Sequence, residues 1–405
     1  MAKSSKIKFN QTVDAPVSAV YYAFTNQAAI TQWLCSDARV NVQEGGALFF
    51  NWNRPKYFAV GEYTKVRPER GLTFTWQGRG EPGPTEVNII FREDNGSTNI
   101  SLVHKKVGKG PEWEKTREQI ERGWEYSLDN LKQVLEDGLD KRVYDQPFLG
   151  VMIAGLVSAE EAEAEGIGSQ GGIRISGALE ATGAEAAGLE DQDIIVNMAG
   201  IDTDSFPNMQ KVLREHQAGD TFDVSFYRNG EQHTSEMTLS KRPTPDVPDT
   251  PAELSKAAEK LYNELNEELE ELVTDLPEAV AEFELPGDKW NPKQVLAHLL
   301  TNERSSQMWI ASMVDNQYLS GWPNNPLPWI KSVAESYTMG ELVEAFKHSE
   351  METVRLLANL PEETVNRKAT YIQIGFNALV FFPNHTQGHL NDLRQAIDDA
   401  RQEAG

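Results

Sequence analysis

The chain has 405 residues, of which 39% are hydrophobic and 25% charged, with 30 glycines and 20 prolines. This composition is typical of an ordinary globular protein and excludes the collagen-like, disulfide-rich and largely disordered classes. The 62 acidic residues outnumber the 38 basic ones and give a formal net charge of −24. Nucleic acids and anionic membranes are bound by basic surfaces, so neither is expected as the main partner.

The cysteine content and the hydropathy pattern indicate a cellular compartment. The single cysteine, Cys35, excludes an intrachain disulfide and a cysteine-based metal cluster. No apolar stretch approaches the roughly 18 residues that a membrane span needs, and the N-terminus lacks the apolar core of a signal peptide. We therefore expect a cytoplasmic protein.

Two changes in composition divide the chain. Four prolines between residues 243 and 252 predict an extended linker, since proline disrupts both helices and sheets. A break near residue 138 follows a long helical pattern and precedes strand-like patterns. We therefore expect three domains, over residues 1–142, 146–242 and 253–405. Residues 1–145 contain 20 basic and 19 acidic residues, so the negative charge belongs to the second and third domains.

The first domain combines several short strands with one long helix. Glycine, proline, asparagine or aspartate bounds each strand pattern, as in antiparallel hairpins, and a helical period follows over residues 112–138. This order predicts an α+β helix-grip fold. The motifs that carry a family resemblance are Ala15-Pro16, Trp33, Glu44-Gly45-Gly46, Gly61-Glu62-Tyr63, Leu72-Thr73-Phe74-Thr75-Trp76, His104 and Gly123-Trp124.

Together these motifs resemble the SRPBCC (START-like) superfamily, and within it the branch named after the activator of the heat-shock-protein-90 ATPase. The resemblance implies a cavity between the sheet and the long helix, which in this superfamily often receives a small apolar ligand. Large rings on the inner face of a sheet are also ordinary core residues, so both interpretations stay open. The residues expected to line the cavity are Trp33, Phe50, Trp76, His104 and Trp124.

The second domain resembles a bacterial-type PDZ domain, which is mainly β. The resemblance rests on Phe148-Leu149-Gly150-Val151, the run Ala186–Ile195, the helical pattern from Met209 and the Asn229-Gly230 turn. Gln192 stands where the family usually has glycine. The chain contains no Gly-x-Ser-x-Gly motif and no serine, histidine and aspartate set, so a serine protease is not expected.

The PDZ resemblance implies peptide recognition. In such domains an extended peptide adds to a sheet edge, and backbone N–H groups hold its terminal carboxylate. A short acidic run, residues 160–165, either favours basic peptides or is simply a solvated helix face. An internal scaffold that docks neighbouring domains is the alternative to peptide binding. The residues that would hold a C-terminal peptide are Phe148, Leu149, Gly150 and Val151, with side-chain specificity from Met209, Val212 and Leu213.

The third domain shows four helical patterns, over residues 253–272, 291–315, 338–359 and 372–402, which predict an all-α four-helix bundle. His385 and His389 are four residues apart, so on a helix both rings point to one side. With His298 on another apolar helical stripe, they form a ligand set for a divalent metal ion, with a fourth position left to water. The same spacing of His385 and His389 would also arise from two core histidines that are hydrogen-bonded within the protein.

The residues around these histidines resemble the DinB-like metalloprotein superfamily. The motifs are Gly287-Asp288-Lys289-Trp290-Asn291-Pro292, Asn302-Glu303 and the His385-x-x-x-His389 pair. The resemblance implies metal binding by His298, His385 and His389, with zinc or nickel as the most plausible ion. Glu303 and Asp392 are candidates to orient the imidazoles, or they are surface charges. Trp309, Trp322 and Trp329 belong to an aromatic loop that either covers the metal or packs in the core.

Two functions fit this organisation. By the DinB resemblance, the metal activates water or a thiol in a hydrolase or thiol-transferase reaction, and the first domain presents an apolar substrate. No second carboxylate or histidine is identifiable as a general base, so no catalytic residue is assigned. The alternative is a non-enzymatic adaptor or co-chaperone-like binding protein in which the metal is structural.

Overall fold

The computed structural model describes residues 4–54, 56–287, 289–317 and 327–404. The chain divides into two compact units, one made of residues 1–138 and 245–405 and the other of residues 139–244. Within the described ranges, no helix has the length and apolar character needed to cross a membrane.

Residues 4–136 form one antiparallel sheet of seven strands with a long helix, as predicted for the first domain. Along the sheet the strands follow the order β1-β7-β6-β5-β4-β3-β2, and β1 and β2 are the edges. The elements are β1 (Ser4–Val13), α1 (Val17–Thr25), α2 (Gln27–Trp33), β2 (Asp37–Val40), β3 (Ala47–Trp52), β4 (Tyr57–Arg67), β5 (Gly71–Gly78), β6 (Thr85–Asp94), β7 (Ser97–Gly108) and α3 (Glu114–Glu136).

The spacing of buried side chains along the strands and along α3 explains how this sheet and helix pack. In β5 the alternate residues Leu72, Phe74 and Trp76 are buried, which is the period of a strand with one face on a core. On α3 the buried residues recur every three or four positions, so one stripe of the helix covers the sheet. The sheet and helix share one continuous apolar cluster.

The Gly123→Ala variant is expected to stabilise the first unit by about 0.5–1 kcal/mol, because glycine weakens a helix interior. Gly123 lies within α3, and a Cβ built there meets no atom within 4 Å. Gly138→Ala is the opposing control, since Gly138 has φ +76° and its Cβ would lie 2.5 Å from Cδ1 of Ile372. Denaturant unfolding measures both, and a destabilised Gly123→Ala variant would contradict the expectation.

The second unit is a twisted sheet with short helices. Five strands run in the order β14-β13-β11-β10-β9, β12 pairs with β11, and β8 pairs separately with β15. The elements are α4 (Lys141–Tyr144), β8 (Pro147–Phe148), β9 (Val151–Val157), α5 (Ala159–Ala164), β10 (Gly172–Ala178), α6 (Gly183–Ala186), β11 (Ile194–Met198), β12 (Ile201–Asp202), α7 (Phe206–Glu215), β13 (Thr221–Arg228), β14 (Glu231–Thr238) and β15 (Ser240–Lys241).

The acidic run of the second unit lies mainly on α5. A capping box begins this helix, in which Ser158 and Glu161 each accept the other's backbone N–H. Ala162 is buried, whereas Glu160, Glu161 and Glu163 are exposed, so these carboxylates lie on a solvated helix face.

The helical part of the first unit contains the predicted bundle helices. The elements are α8 (Pro251–Val273), α9 (Glu278–Ala281), α10 (Pro292–Val314), α11 (Leu327–Glu335), α12 (Met339–Ala358), α13 (Glu362–Asn366), α14 (Lys368–Phe376) and α15 (Phe382–Ala404). Three of the four patterns become α8, α10 and α12. The fourth becomes α14 and α15, joined by a π-helical turn at Asn377–Phe381. Pro383 has no N–H to donate to the preceding turn, which accounts for the irregularity there.

A polar layer interrupts the core of this bundle. One apolar cluster contains Leu269, Leu300 and Phe346, and a second contains Ile310 and Val354. Along α8, α10 and α12 the buried residues between the two clusters are polar. They include Asn266, Glu303, Glu350 and Thr353.

The sheet and the bundle contact each other inside the first unit. Gln32 on α2 donates from Nε2 to Oγ1 of Thr370 at 3.0 Å. Nδ2 of Asn26 donates to the carbonyl of Asn316 at 3.3 Å. The hydroxyl of Tyr22 also donates to Oδ1 of Asn316. These bonds connect α1 and α2 with the C-terminal end of α10 and with α14.

Candidate metal centre and ligand cavity

The structure brings His298, His385 and His389 together on facing helices. His298 lies on α10, and the other two lie one turn apart on α15. One ligand nitrogen from each ring lies within 4.8 Å of the other two, and Nε2 of His298 is 3.3 Å from Nε2 of His385. In the described part of the chain, no other three histidine, cysteine, aspartate or glutamate side chains bring their ligand atoms this close together.

The residues that begin α10 also form one wall of this site. Asn291 caps the helix in a capping box with Gln294, and Pro292 occupies the first turn. The ring of Trp290, just before the cap, lies 5.1 Å from the ring of His298 and 6.4 Å from that of His389. The Trp290-Asn291-Pro292 motif therefore sets both the start of α10 and one side of the histidine cluster.

The surroundings of His298 and His385 favour their neutral forms. Burial, followed by the neighbouring rings of His389 and His385, lowers the pKa of His298 to about 4. Burial, followed by the ring of His389, lowers the pKa of His385 to about 4 as well. A neutral imidazole has a free lone pair on one nitrogen, which is the form that ligates metal ions.

The outer nitrogens of the three rings have different surroundings. Oδ2 of Asp392 lies 2.9 Å from Nδ1 of His389, although the contact lacks hydrogen-bond geometry. Nδ2 of Asn302 is 3.4 Å from Nδ1 of His385, and Nδ1 of His298 is buried without a hydrogen-bond partner. Asp392 is thus placed to orient an imidazole.

Glu303, the other candidate to orient a ring, faces the polar layer instead. Its carboxylate accepts a hydrogen bond from the Thr353 hydroxyl on α12. Glu350 accepts a bond from Nδ2 of Asn266 at 2.6 Å, and the Tyr262 hydroxyl beside them has no hydrogen-bond partner. Burial raises the pKa of Glu303 to about 7, and burial together with Glu303 raises the pKa of Glu350 well above its usual range.

Sequence reasoning missed Glu350 and Asn266 as buried polar groups. A usable signal was present, because Glu350 is four residues after Phe346 and four before Val354, on the apolar stripe of α12. Of the aromatic loop, Trp322 lies outside the described residues. Trp309 is half-buried and Trp329 is exposed.

A cavity of about 720 Å³ lies between the sheet and α3 in the first unit. Of the five residues predicted to line it, Trp76, His104 and Trp124 do so. Trp33 and Phe50 instead lie in the apolar core, with 1% and 3% of their surface exposed. Trp33 is held there because its Nε1 donates to the carbonyl of Ala23 at 2.8 Å.

His104 is a satisfied, neutral histidine in the wall of this cavity. Nε1 of Trp124 donates to its Nδ1 at 3.1 Å, so the ring proton is on Nε2. Nε2 lies 2.7 Å from Oγ1 of Thr85, which in turn donates to the carbonyl of Trp76 at 3.1 Å. Burial lowers the pKa of His104 to about 4.

The first unit should lose stability as the pH falls from about 6.5 towards 4, because His104 takes up its proton earlier in the unfolded chain than in the folded one. The depressed pKa corresponds to a contribution of about 3 kcal/mol to the free energy of unfolding, which is fully lost below pH 4. The His104→Gln variant should show a flatter stability profile across this range than wild type. Denaturant unfolding at a series of pH values measures the difference, and identical slopes would contradict the expectation.

The structure places the predicted peptide-binding residues in two environments. Phe148 is half-buried in β8, and Gly150 adopts φ +78°, where a Cβ would lie 2.3 Å from Oγ1 of Thr182. Leu149 is buried, and Val151 begins β9, the edge strand of the five-strand order.

The predicted specificity residues do not form an exposed groove wall. Met209 and Val212 on α7 are 9% and 0% exposed and pack in the core of the second unit, while Leu213 is partly buried. Exposed apolar side chains of the second unit include Phe206 at the start of α7 and three residues on β9, Met152, Ile153 and Leu156.

Comparison with known families identifies two parts of the chain. Residues 14–136 match the family of Activator of Hsp90 ATPase homolog 1-like proteins, and residues 261–393 match the DinB superfamily. These matches confirm the first and third resemblances inferred from the sequence. The second resemblance, to PDZ domains, stays a prediction.

Three individual proteins are similar to parts of the chain. CalU16 from Micromonospora echinospora is 28% identical over 31% of this chain and 73% of its own, with a TM-score of 0.27. An HSP90 activator from Plasmodium falciparum is 20% identical over 32% of this chain and 95% of its own, with a TM-score of 0.28. The serine protease Do-like HtrA of Bacillus subtilis is 28% identical over 174 residues, 40% of this chain. The chain spans 38% of the length of that curated relative.

Proposed function

We propose that the helical bundle binds one divalent metal ion through His298, His385 and His389 and uses it in a hydrolase or thiol-transferase reaction. The observation that carries this proposal is the convergence of three imidazoles from two facing helices. The DinB superfamily match over residues 261–393 supports a metal-associated role for this part of the chain.

The donor set fits a borderline divalent ion such as zinc or nickel. The Nε2 atoms of His298 and His385 are 3.3 Å apart, so a single ion could accept a lone pair from each of them in place of the proton that the two nitrogens can share. With the ion at Nε2, the outer nitrogen of His385 would carry a proton for the Asn302 amide oxygen, after rotation of that amide. In the same way, Asp392 would accept the Nδ1 proton of His389.

Three protein ligands leave at least one coordination position for water or substrate. The bound ion would supply Lewis acidity, which lowers the pKa of a coordinated water or thiol. Trp290 packs against two of the three ligand rings, so it holds their orientation and excludes water from that side of the site. Asp392 is 64% exposed on the outer side, and it would hold the His389 ring by accepting the Nδ1 proton.

The other two modules are proposed to bind ligands. The cavity of the first unit supports a role in holding an apolar ligand, which agrees with the family match over residues 14–136. In the second unit, the left-handed backbone conformation of Gly150 and the exposed apolar side chains of β9 support a PDZ-type site for a C-terminal peptide.

A non-enzymatic adaptor or co-chaperone-like protein is the second candidate. It is favoured by the position of Glu303, whose carboxylate bonds to Thr353 in the polar layer instead of reaching the histidine cluster. Among the described residues, the acidic side chain beside the histidine cluster is then that of Asp392, which contacts the ring of His389. In this case the metal ion only connects α10 with α15.

The experiment combines metal content with an activity screen. The purified protein is loaded with zinc or nickel and tested for ester hydrolysis and for thiol transfer to small electrophiles, beside the chelated protein and the His389→Ala variant. His348→Ala is the matched control, since His348 is exposed on α12. Activity that needs both the metal and His389 supports the enzyme. The structural role is supported if the metal-loaded protein shows no activity in the screen and the His389→Ala substitution lowers its melting temperature.

A further inference from the structure

Four aromatic side chains in the wall of the first unit's cavity already have their polar atoms hydrogen-bonded within the protein, those of Trp52, Tyr57, Trp76 and Trp124. Glu81 accepts bonds from the Tyr57 hydroxyl at 2.7 Å, from Nε1 of Trp76 at 3.1 Å and from the backbone N–H of Gly78 at 2.9 Å. Nε1 of Trp52 donates to the carbonyl of Leu34 at 2.6 Å.

The third indole N–H in the wall, that of Trp124, is donated to His104. These aromatic side chains therefore present ring faces and edges to the cavity, while their polar atoms bond to the protein itself. Such a surface recognises an apolar, ring-containing body through contact area and ring packing.

The mouth of the cavity has the opposite character, because it is cationic. Lys56, Arg79 and Arg122 line the cavity and are exposed, whereas Glu81 is the acidic residue in its lining. Nη1 of Arg79 donates to the carbonyl of Lys56 at 3.1 Å, which holds these two residues together. The cluster lies in the part of the chain that is close to neutral, with 20 basic and 19 acidic residues over positions 1–145.

These cations are available for a ligand. Arg122 forms an ion pair with Glu118 at 3.7 Å, but the two side chains are 76% and 62% exposed, and an exposed pair of this kind contributes little. Among the ion pairs of the described residues, Lys56 and Arg79 take part in none. An anionic group at the mouth would therefore gain charge-assisted hydrogen bonds without breaking a strong one.

We propose that this cavity binds an amphipathic anion, a molecule with an apolar, ring-containing body and one acidic group at its end. The body lies among the aromatic side chains, and the acidic group lies at the mouth, beside Lys56, Arg79 and Arg122. A volume of about 720 Å³ is within the range of sites for drug-sized ligands. The inference rests on the proposed function of the cavity as a ligand site, and it further specifies that the ligand is an anion.

Three probes with one ring system and different charge test the proposal. Naphthylacetate, naphthylethanol and naphthylethylammonium are titrated into the full-length protein by calorimetry at low and high salt. We expect naphthylacetate to bind about 10-fold more tightly than the alcohol at low salt, with the ammonium weakest, and added salt to reduce only the preference for the anion. Dodecanoate, an anion with a chain in place of rings, should bind more weakly than naphthylacetate.

Variants locate the binding. Replacing both arginines, Arg79→Gln with Arg122→Gln, should weaken naphthylacetate about 5- to 10-fold and leave naphthylethanol within twofold. Lys65→Gln, an exposed charge on β4, is the matched control and should change neither. Gly123→Phe should weaken both probes, because Gly123 lines the cavity and has open space around it.

The outcomes separate this inference from the function on which it rests. Equal binding of the alcohol and the acetate, or tighter binding of the ammonium, would overturn the anion preference and leave an apolar ligand site in place. Tighter binding of dodecanoate would overturn the ring-containing body. Failure of all probes to bind would remove the ligand site itself and the inference with it.

Discussion

The His385→Ala variant is expected to lose stoichiometric metal binding, whereas wild type retains about one zinc or nickel ion per chain. Removal of one imidazole leaves two ligands, and we expect the metal affinity to fall by on the order of 100-fold or more, since loss of an outer partner alone costs about 10- to 100-fold. Competition with a chromophoric chelator gives the affinity, and elemental analysis gives the stoichiometry.

Two further variants control for this result. His348→Ala removes an exposed histidine of α12 and should leave the affinity unchanged. Asp392→Asn keeps all three ligands and should give an intermediate loss of about 10- to 100-fold. A wild-type protein that binds no divalent ion, or a His385→Ala variant with unchanged affinity, would show that the three rings are only packed together.

The Glu303→Gln variant is expected to be more stable than wild type at pH 8 and to lose the pH dependence that Glu303 confers. Burial raises the folded-state pKa of Glu303 from 4.5 to about 7, so the folded protein holds a proton there that the unfolded chain has released. Its contribution is favourable below pH 4.5 and is lost as the pH rises through about 7. The shift corresponds to about 3 kcal/mol.

Glutamine keeps the acceptor for the Thr353 hydroxyl and has no charge to bury, which is why the variant isolates the ionisation of Glu303. Hydrogen exchange of the α10 and α12 amides between pH 5 and 8 reports on the bundle separately from the rest of the chain. Glu352→Gln replaces an exposed carboxylate on α12 and should leave the profile unchanged. A Glu303→Gln variant that is destabilised at pH 8 would show that the carboxylate is stabilised by a bound cation or another partner.

Periodicity and spacing predicted the sheet and long helix of residues 4–136 and the helices of the bundle, because each element buries one regular face. The histidine cluster was predictable for a related reason. A spacing of four residues puts His385 and His389 on one side of α15, and an apolar stripe turns His298 inwards on α10. The prediction that all three rings lie together depended on the family resemblance, since the helical patterns alone do not say which helices face each other.

Other features depend on tertiary neighbours and escaped prediction. Met209 and Val212 have the helical spacing of a groove wall, but the same spacing serves the core of the second unit, and the structure uses it there. The cationic mouth of the cavity combines Lys56 and Arg79, near the ends of strands, with Arg122 on α3. No local pattern connects these positions along the chain.

The pairing of β8 with β15 has a consequence for the order of folding. The first unit is interrupted after residue 138 and resumes at residue 245, and this two-stranded pair joins the beginning and the end of the intervening stretch. Paired strands lie only about 4.8 Å apart, so once residues 139–244 have folded they act as a short closed loop instead of a long flexible one. Synthesis also completes this stretch before the bundle helices emerge. We therefore expect the second unit to fold early and to lower the entropic cost of joining the two halves of the first.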